Sequence, residues 1–139
     1  MTVFDINIMI DYQRGKERAS EIMPGGNSGI SITVITGYEL LKGRRTKKEE
    51  STINELLSKV KKYHTDSRSM RVPGSLYREL KNNGKLKNEA AMLIAGIVLA
   101  NNETLITLDN DFSDLAAAMG ESPVLLKESR AHSPVLRLG

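Results

Sequence analysis

Cysteine is absent from the 139 residues, which excludes disulfide bridges, zinc–thiolate centres and thiol nucleophiles. Histidine is almost absent: His64 and His132 are the only two, both in polar surroundings, so a histidine-rich metal site is not expected. Aromatic residues are scarce, with two Phe and four Tyr, leaving few surfaces on which nucleobases could stack. No apolar run approaches the ~20 residues of a membrane-spanning helix. The N-terminal stretch MTVFDINIMIDY has no basic segment ahead of its apolar part. The expectation is a soluble, cytoplasmic protein. One domain over residues 1–127 is predicted, with a C-terminal tail at 128–139 (ESRAHSPVLRLG).

The charge that is present is unevenly spread. Net charge is +3, yet residues 42–87 hold 14 of the 20 Lys and Arg against five acids. The remainder of the chain is therefore acidic. A basic middle, including Arg44, Arg45, Lys47 and Lys48, suits a polyanion held along one surface and processed at another. A Lys-rich helix face that is merely solvated reads the same way residue by residue.

Strand-like and helix-like runs alternate, which predicts a parallel sheet covered by helices. Strands are expected at 2–5, 30–36 (ISITVIT), 104–108 (TLITL) and, at an edge, 123–126. Helices are expected from about 7 to 15, at 16–23, from Thr36 to Gly43, at 49–62, at 66–80, at 89–100 and at 113–119. Pro73-Gly74 should kink or divide the helix at 66–80. The run EAAMLIAGIVLA at 89–100 is apolar nearly all round and should be the most buried helix.

Three of these strands lead into acids. The first runs into Asp5, the second leads through Gly37 and Tyr38 to Glu39, and the third runs into Asp109, with Asp111 two residues on. Ligands bind outside the carboxyl ends of parallel strands, and gathered carboxylates need a cation to offset their repulsion. A hard divalent ion with oxygen ligands fits, and points to chemistry on a phosphate ester. Three of these acids also have a purely structural reading. Asp5 can cap the following helix, Thr36 and Glu39 have the spacing of a capping box, and Asp111 can cap the last helix. Asn7 and Thr107 stand where they could orient a carboxylate by hydrogen bonding.

At this point the chain resembles a PIN domain, and within that group the VapC-type toxin ribonucleases. Residues 5–12 (DINIMIDY) resemble the family's opening D-T-N-I-L-I-D-Y. Residues 30–43 (ISITVITGYELLKG) resemble its second strand and glutamate helix. Residues 75–85 (SLYRELKNNGK), followed by Leu93-Ile94-Ala95-Gly96, resemble the segment around its third acid. Residues 104–112 (TLITLDNDF) resemble its closing strand and acidic turn. The resemblance covers residues 2–126. It implies a three-layer α/β/α sandwich around a central, mainly parallel sheet, and an acidic pocket that binds Mg²⁺ or Mn²⁺ and cuts RNA. Asp5, Glu39 and Asp109 take the catalytic and metal-binding positions, Asp111 an accessory one, and Asn7 and Thr107 the polar supporting ones. The family reads E-x-D-x-L-I-A-G where this chain has Glu89 to Gly96, which puts Ala91 in place of an aspartate; Ile6 replaces a threonine. A small antitoxin and a second copy of the chain are the implied protein partners. Ala91 motivates the alternative of an impaired PIN domain that binds without cutting. A phospho-acceptor receiver domain would want paired acids after the first strand, which this chain lacks.

Overall fold

The computed structural model describes residues 2–22, 29–43, 46–84, 88–109, 111–118, 124–126 and 135–138. The chain runs β1 (Thr2–Phe4), α1 (Ile6–Gln13), α2 (Glu17–Ile22), β2 (Ser31–Thr33), α3 (Val34–Lys42), α4 (Lys47–Lys59) and β3 (Lys61–Tyr63). It continues through α5 (Ser67–Asn82), α6 (Glu89–Ala100), β4 (Thr104–Thr107), α7 (Asp111–Ala118), β5 (Val124–Leu126) and β6 (Val135–Leu138). One sheet has the order β3-β2-β1-β4-β6-β5. The first four strands are parallel, whereas β6 runs antiparallel to both β4 and β5.

Strand alternation sends neighbouring side chains to opposite faces and creates two cores. Val3 and Leu105 join one cluster with Leu76 and Leu80 of α5, Ile94, Ile97 and Val98 of α6, and Leu115 of α7. Phe4 joins the other with Ile8 and Met9 of α1, Ile32, Leu40 of α3, and Ile53 and Leu56 of α4. The result is the α/β/α sandwich implied by the sequence. As expected, α6 is the most deeply buried helix, with seven of its twelve residues buried.

Four elements depart from the sequence expectations. The second strand stops at Thr33 rather than Thr36, because Thr33 caps α3 by accepting the Thr36 amide at 3.1 Å. Lys61 and Lys62, expected at the end of a helix, form the edge strand β3 with Tyr63. Lys62 Nζ donates back to the carbonyls of Leu57 and Val60 at 2.6 and 3.1 Å, closing the end of α4. Lysines on an edge strand also discourage pairing with other chains. The C-terminal stretch is no appendage throughout, since β6 pairs with β4 through Leu105, Ile106 and Thr107.

The fourth departure is α5, which runs unbroken through Pro73. Proline has no amide to offer the Ser69 carbonyl and its ring crowds the preceding turn. Here Pro73 is buried against Gly96 of α6, where a Cβ would meet the Pro73 ring at 2.6 and 2.9 Å and crowd the Ser69 carbonyl. Glycine at 96 therefore lets the two helices close over the proline. Gly96→Ala should destabilise the protein by about 1–3 kcal/mol in urea unfolding, as overpacking does. Gly37→Ala is the control. Its Cβ would meet Leu57 and Ile32 at 3.7 and 3.8 Å, and it should gain about 0.5–1 kcal/mol of helix propensity.

Candidate active site

The sheet order places a topological switch between β1 and β4. The chain leaves β1 towards β2 and β3 on one side and returns to β4 on the other. Crevices at such points, outside the carboxyl ends of the strands, are where ligands bind in open α/β sheets. Asp5 follows β1 directly, and its amide donates to the Ile106 carbonyl of β4 at 3.0 Å.

Asp5 is 3% exposed. Its Oδ1 accepts the Ile6 amide at 2.8 Å, which starts α1, and its Oδ2 accepts the Thr107 hydroxyl at 2.6 Å. Thr107 Oγ1 in turn accepts the Asp109 amide at 3.0 Å, and Asp109 Oδ1 accepts the Asp111 amide at 2.9 Å. Asn7 Oδ1 accepts the amides of Ile8 at 2.9 Å and Leu108 at 3.1 Å. A continuous set of short bonds thus locks the beginning of α1 to the end of β4. The oxygen of Asn7 holds backbone in this turn rather than a carboxylate.

Glu39 lies within α3, half-buried. The capping-box reading fails for it, because the cap is Thr33 and Glu39 stands more than a turn further on. Asp111 is likewise the first residue of α7 rather than its cap; the Asp109 carboxylate serves its amide instead.

Asp5, Glu39 and Asp109 line one small cavity of about 40 Å³ together with Ile6, Asn7, Asn88, Ala91, Ile94 and Phe112. Asn88 escaped the sequence reading. Its signal was an asparagine ahead of a helical run, and it caps α6 by accepting the Ala90 amide at 2.9 Å. Ala91 is 3% exposed and presents a methyl group to this cavity.

Burial pushes the Asp5 carboxyl above its ordinary range, the Thr107 and Ile6 hydrogen bonds oppose that shift, and nearby Asp109 adds to it. Burial also raises Glu39, reinforced by Asp5 and Asp109 and opposed by Lys42. The pocket therefore carries negative charge that the chain only partly offsets. In kind, this all-oxygen anionic set fits a hard divalent cation. In number it falls short: among the described residues no three His, Asp or Glu gather closely enough to hold an ion.

Of the expected basic contacts, Lys47 and Lys48 are exposed in the first turn of α4, while Arg44 and Arg45 lie outside the described residues. A larger concavity of about 510 Å³ is lined by Ile10, Gln13, Arg14, Gly43, Lys48, Glu49 and Thr52. It shares no residue with the acidic pocket. It meets α1 further along, from Ile10 onward.

A raised carboxyl stabilises the fold only while protonated. Stability from Asp5 is fully present below its unfolded-state pKa near about 3.9, and is lost as pH rises through the higher folded-state value. Asp5→Asn should therefore raise Tm at pH 7 by roughly 2–4 °C. The gain should vanish below about pH 4 in a melting series across pH.

The sequence matches no family model. Ribonuclease VapC1 of Methanocaldococcus jannaschii is 28% identical over 103 residues, spanning 74% of this chain and 71% of that protein. A toxin–antitoxin complex from Klebsiella pneumoniae contains a chain that aligns with a TM-score of 0.67 at 22% identity, covering 81% of this chain and 91% of that one. VapBC2 from Rickettsia felis, crystallised with a fragment of promoter DNA, gives 0.66 at 20% identity over the same shares. The fold is that of chains found in these toxin–antitoxin complexes, and the sequence is similar to that of a VapC ribonuclease.

Proposed function

We propose that this chain is a VapC-type toxin ribonuclease that hydrolyses RNA phosphodiester bonds at the acidic pocket with Mg²⁺ or Mn²⁺. The observation that carries the reading is the meeting of Asp5, Glu39 and Asp109 on one cavity at the switch point. The ribonuclease named among its relatives and the toxin–antitoxin complexes among its structural neighbours support it.

Asp5, Glu39 and Asp109 are the carboxylates that would contribute ligands to the cation, although as they line the cavity they do not close on one ion. When bound, such an ion supplies positive charge against the scissile phosphate and lowers the pKa of water at the site. The chain's own residues do the positioning. Thr107 and the Ile6 amide fix both oxygens of Asp5, Asn7 fixes the turn after β4, and Ile94 and Phe112 form an apolar wall that limits water. Lys47 and Lys48, with Arg44 and Arg45, would track the RNA backbone, giving an affinity that falls with salt. With so few aromatics, recognition would rest on phosphates and RNA shape.

A small antitoxin is the proposed regulator, and a basic side chain is what this pocket would attract from it. A homodimer is the proposed assembly. Among the described residues no helix is long and apolar enough to cross a membrane. The rival reading, an impaired domain that binds RNA or a protein without cutting it, is favoured by one observation: the methyl group of Ala91 on the wall of the pocket.

Cleavage of a mixed RNA substrate in Mg²⁺ or Mn²⁺ decides between them. The nuclease reading predicts that Asp5→Asn and Asp109→Asn each lower the rate by about 10²-fold or more. Chelation should stop cleavage altogether. A folded chain that cuts no RNA at any ion concentration, yet binds it, would establish the rival.

A further inference from the structure

Helix α5 carries more uncompensated charge than any other described helix. Within Ser67–Asn82, Arg68, Arg71, Arg78 and Lys81 are cationic and Glu79 alone is anionic, whereas α4 sets three lysines against three glutamates. The buried side of α5 is formed by Ser69, Pro73, Leu76 and Leu80. Arg71 and Arg78 stand seven positions apart, close to two full turns, on the opposite, exposed side, and Lys81 follows within a turn of Arg78. Arg68 is held by Asp66 at 3.0 Å; among the described residues neither Arg71 nor Arg78 has an ion-pair partner. Between these two arginines lie Gly74 and Ser75. The Ser75 hydroxyl donates back to the Arg71 carbonyl at 2.8 Å, and a Cβ at position 74 would meet nothing within 4 Å. Packing does not ask for glycine there, and glycine is a poor helix former. Its bare backbone leaves an open floor between two unpaired guanidinium groups.

This face is also placed to continue the acidic pocket. Ser69 and Pro73 lie level with Gly96 of α6, and Leu80 shares a core cluster with Ala91 and Met92. Joined by a short connection, the two helices run antiparallel, so α5 ends beside the start of α6. That start is where Asn88 and Ala91 line the pocket. Lys81 and Arg78 therefore stand at the pocket end of α5, with Arg71 about 10 Å further along the axis.

We infer that this face is a track for the RNA backbone. The strand leaves the acidic pocket and lies along α5, its phosphates on Lys81, Arg78 and Arg71 and its closest approach over Gly74. Guanidinium suits the task, being always charged and able to grip a phosphate through two parallel N–H bonds. The inference deepens the ribonuclease reading and rests on it. A second copy of the chain fits this face poorly, because a two-fold contact would gather the arginines of both chains.

Fluorescence anisotropy of the full chain with a labelled random-sequence single-stranded RNA tests the track, in EDTA and over a series of salt concentrations. Arg71→Gln/Arg78→Gln should lower affinity by about tenfold or more. It should also flatten the slope of log affinity against log salt by about 1.4, the loss of two phosphate contacts. Gly74→Leu changes no charge and should weaken binding by about threefold or more by filling the floor. Lys16→Gln/Lys59→Gln removes the same charge from lysines already paired with Asp11 and Glu55, and should stay within about twofold of the unsubstituted chain. All these positions are exposed, and thermal melts confirm folding. Equal effects of the two double variants, or RNA binding indifferent to the α5 substitutions, overturn the track. So does a change of oligomeric state, read by sedimentation, in place of a change in RNA affinity. If Asp5→Asn still abolishes cleavage in those cases, the ribonuclease reading survives. A chain that neither binds nor cuts RNA overturns both.

Discussion

The hydrogen bond from the Thr107 hydroxyl to Asp5, 2.6 Å long and buried, is the contact on which the site depends. It spans 102 residues of sequence and joins the ends of two adjacent parallel strands. Without a donor there, an almost fully buried carboxylate would face its desolvation cost with only the Ile6 amide for support. With it, the charge is held at a fixed place on the rim of a sheet whose two faces are both packed. The same hydroxyl accepts the Asp109 amide, so one side chain positions both acids of the switch point. Asn7 completes the arrangement by pinning Leu108.

That arrangement works against the fold that carries it. Like charges are brought together, and burial and mutual repulsion raise the carboxyls of Asp5 and Glu39. The cores on either side of the sheet must offset this. Pro73 seated on Gly96, and α6 sunk between its neighbours, are parts of that compensation. At position 91 the wall of this cavity carries a methyl group, which adds no charge to the repulsion.

Asp5 and Asp109 were legible in the sequence because strand ends in parallel sheets have a known relation to ligands, and each acid directly follows an apolar run. Glu39 was harder to read. The residues Val34, Ile35 and Thr36 are β-branched and pass for strand; only the cap at Thr33 shows that helix begins there. The continuity of α5 was hidden because the partner that accommodates Pro73 lies 23 positions away on another helix. Strand β3 was hidden by its composition, two lysines and a tyrosine, whose pairing is set by β2 alone. Strand β6 lay in a stretch whose short apolar run has meaning only beside β4.

The most direct measurement is the titration of the Asp5 side-chain carboxyl in the metal-free protein by carbon-detected NMR. A midpoint above the ordinary aspartate value of about 3.9, driven higher still by Thr107→Val, is the predicted result. A midpoint at or below that value, indifferent to the loss of the Thr107 hydroxyl, would contradict the view that a buried, hydrogen-bonded and uncompensated carboxylate organises this site.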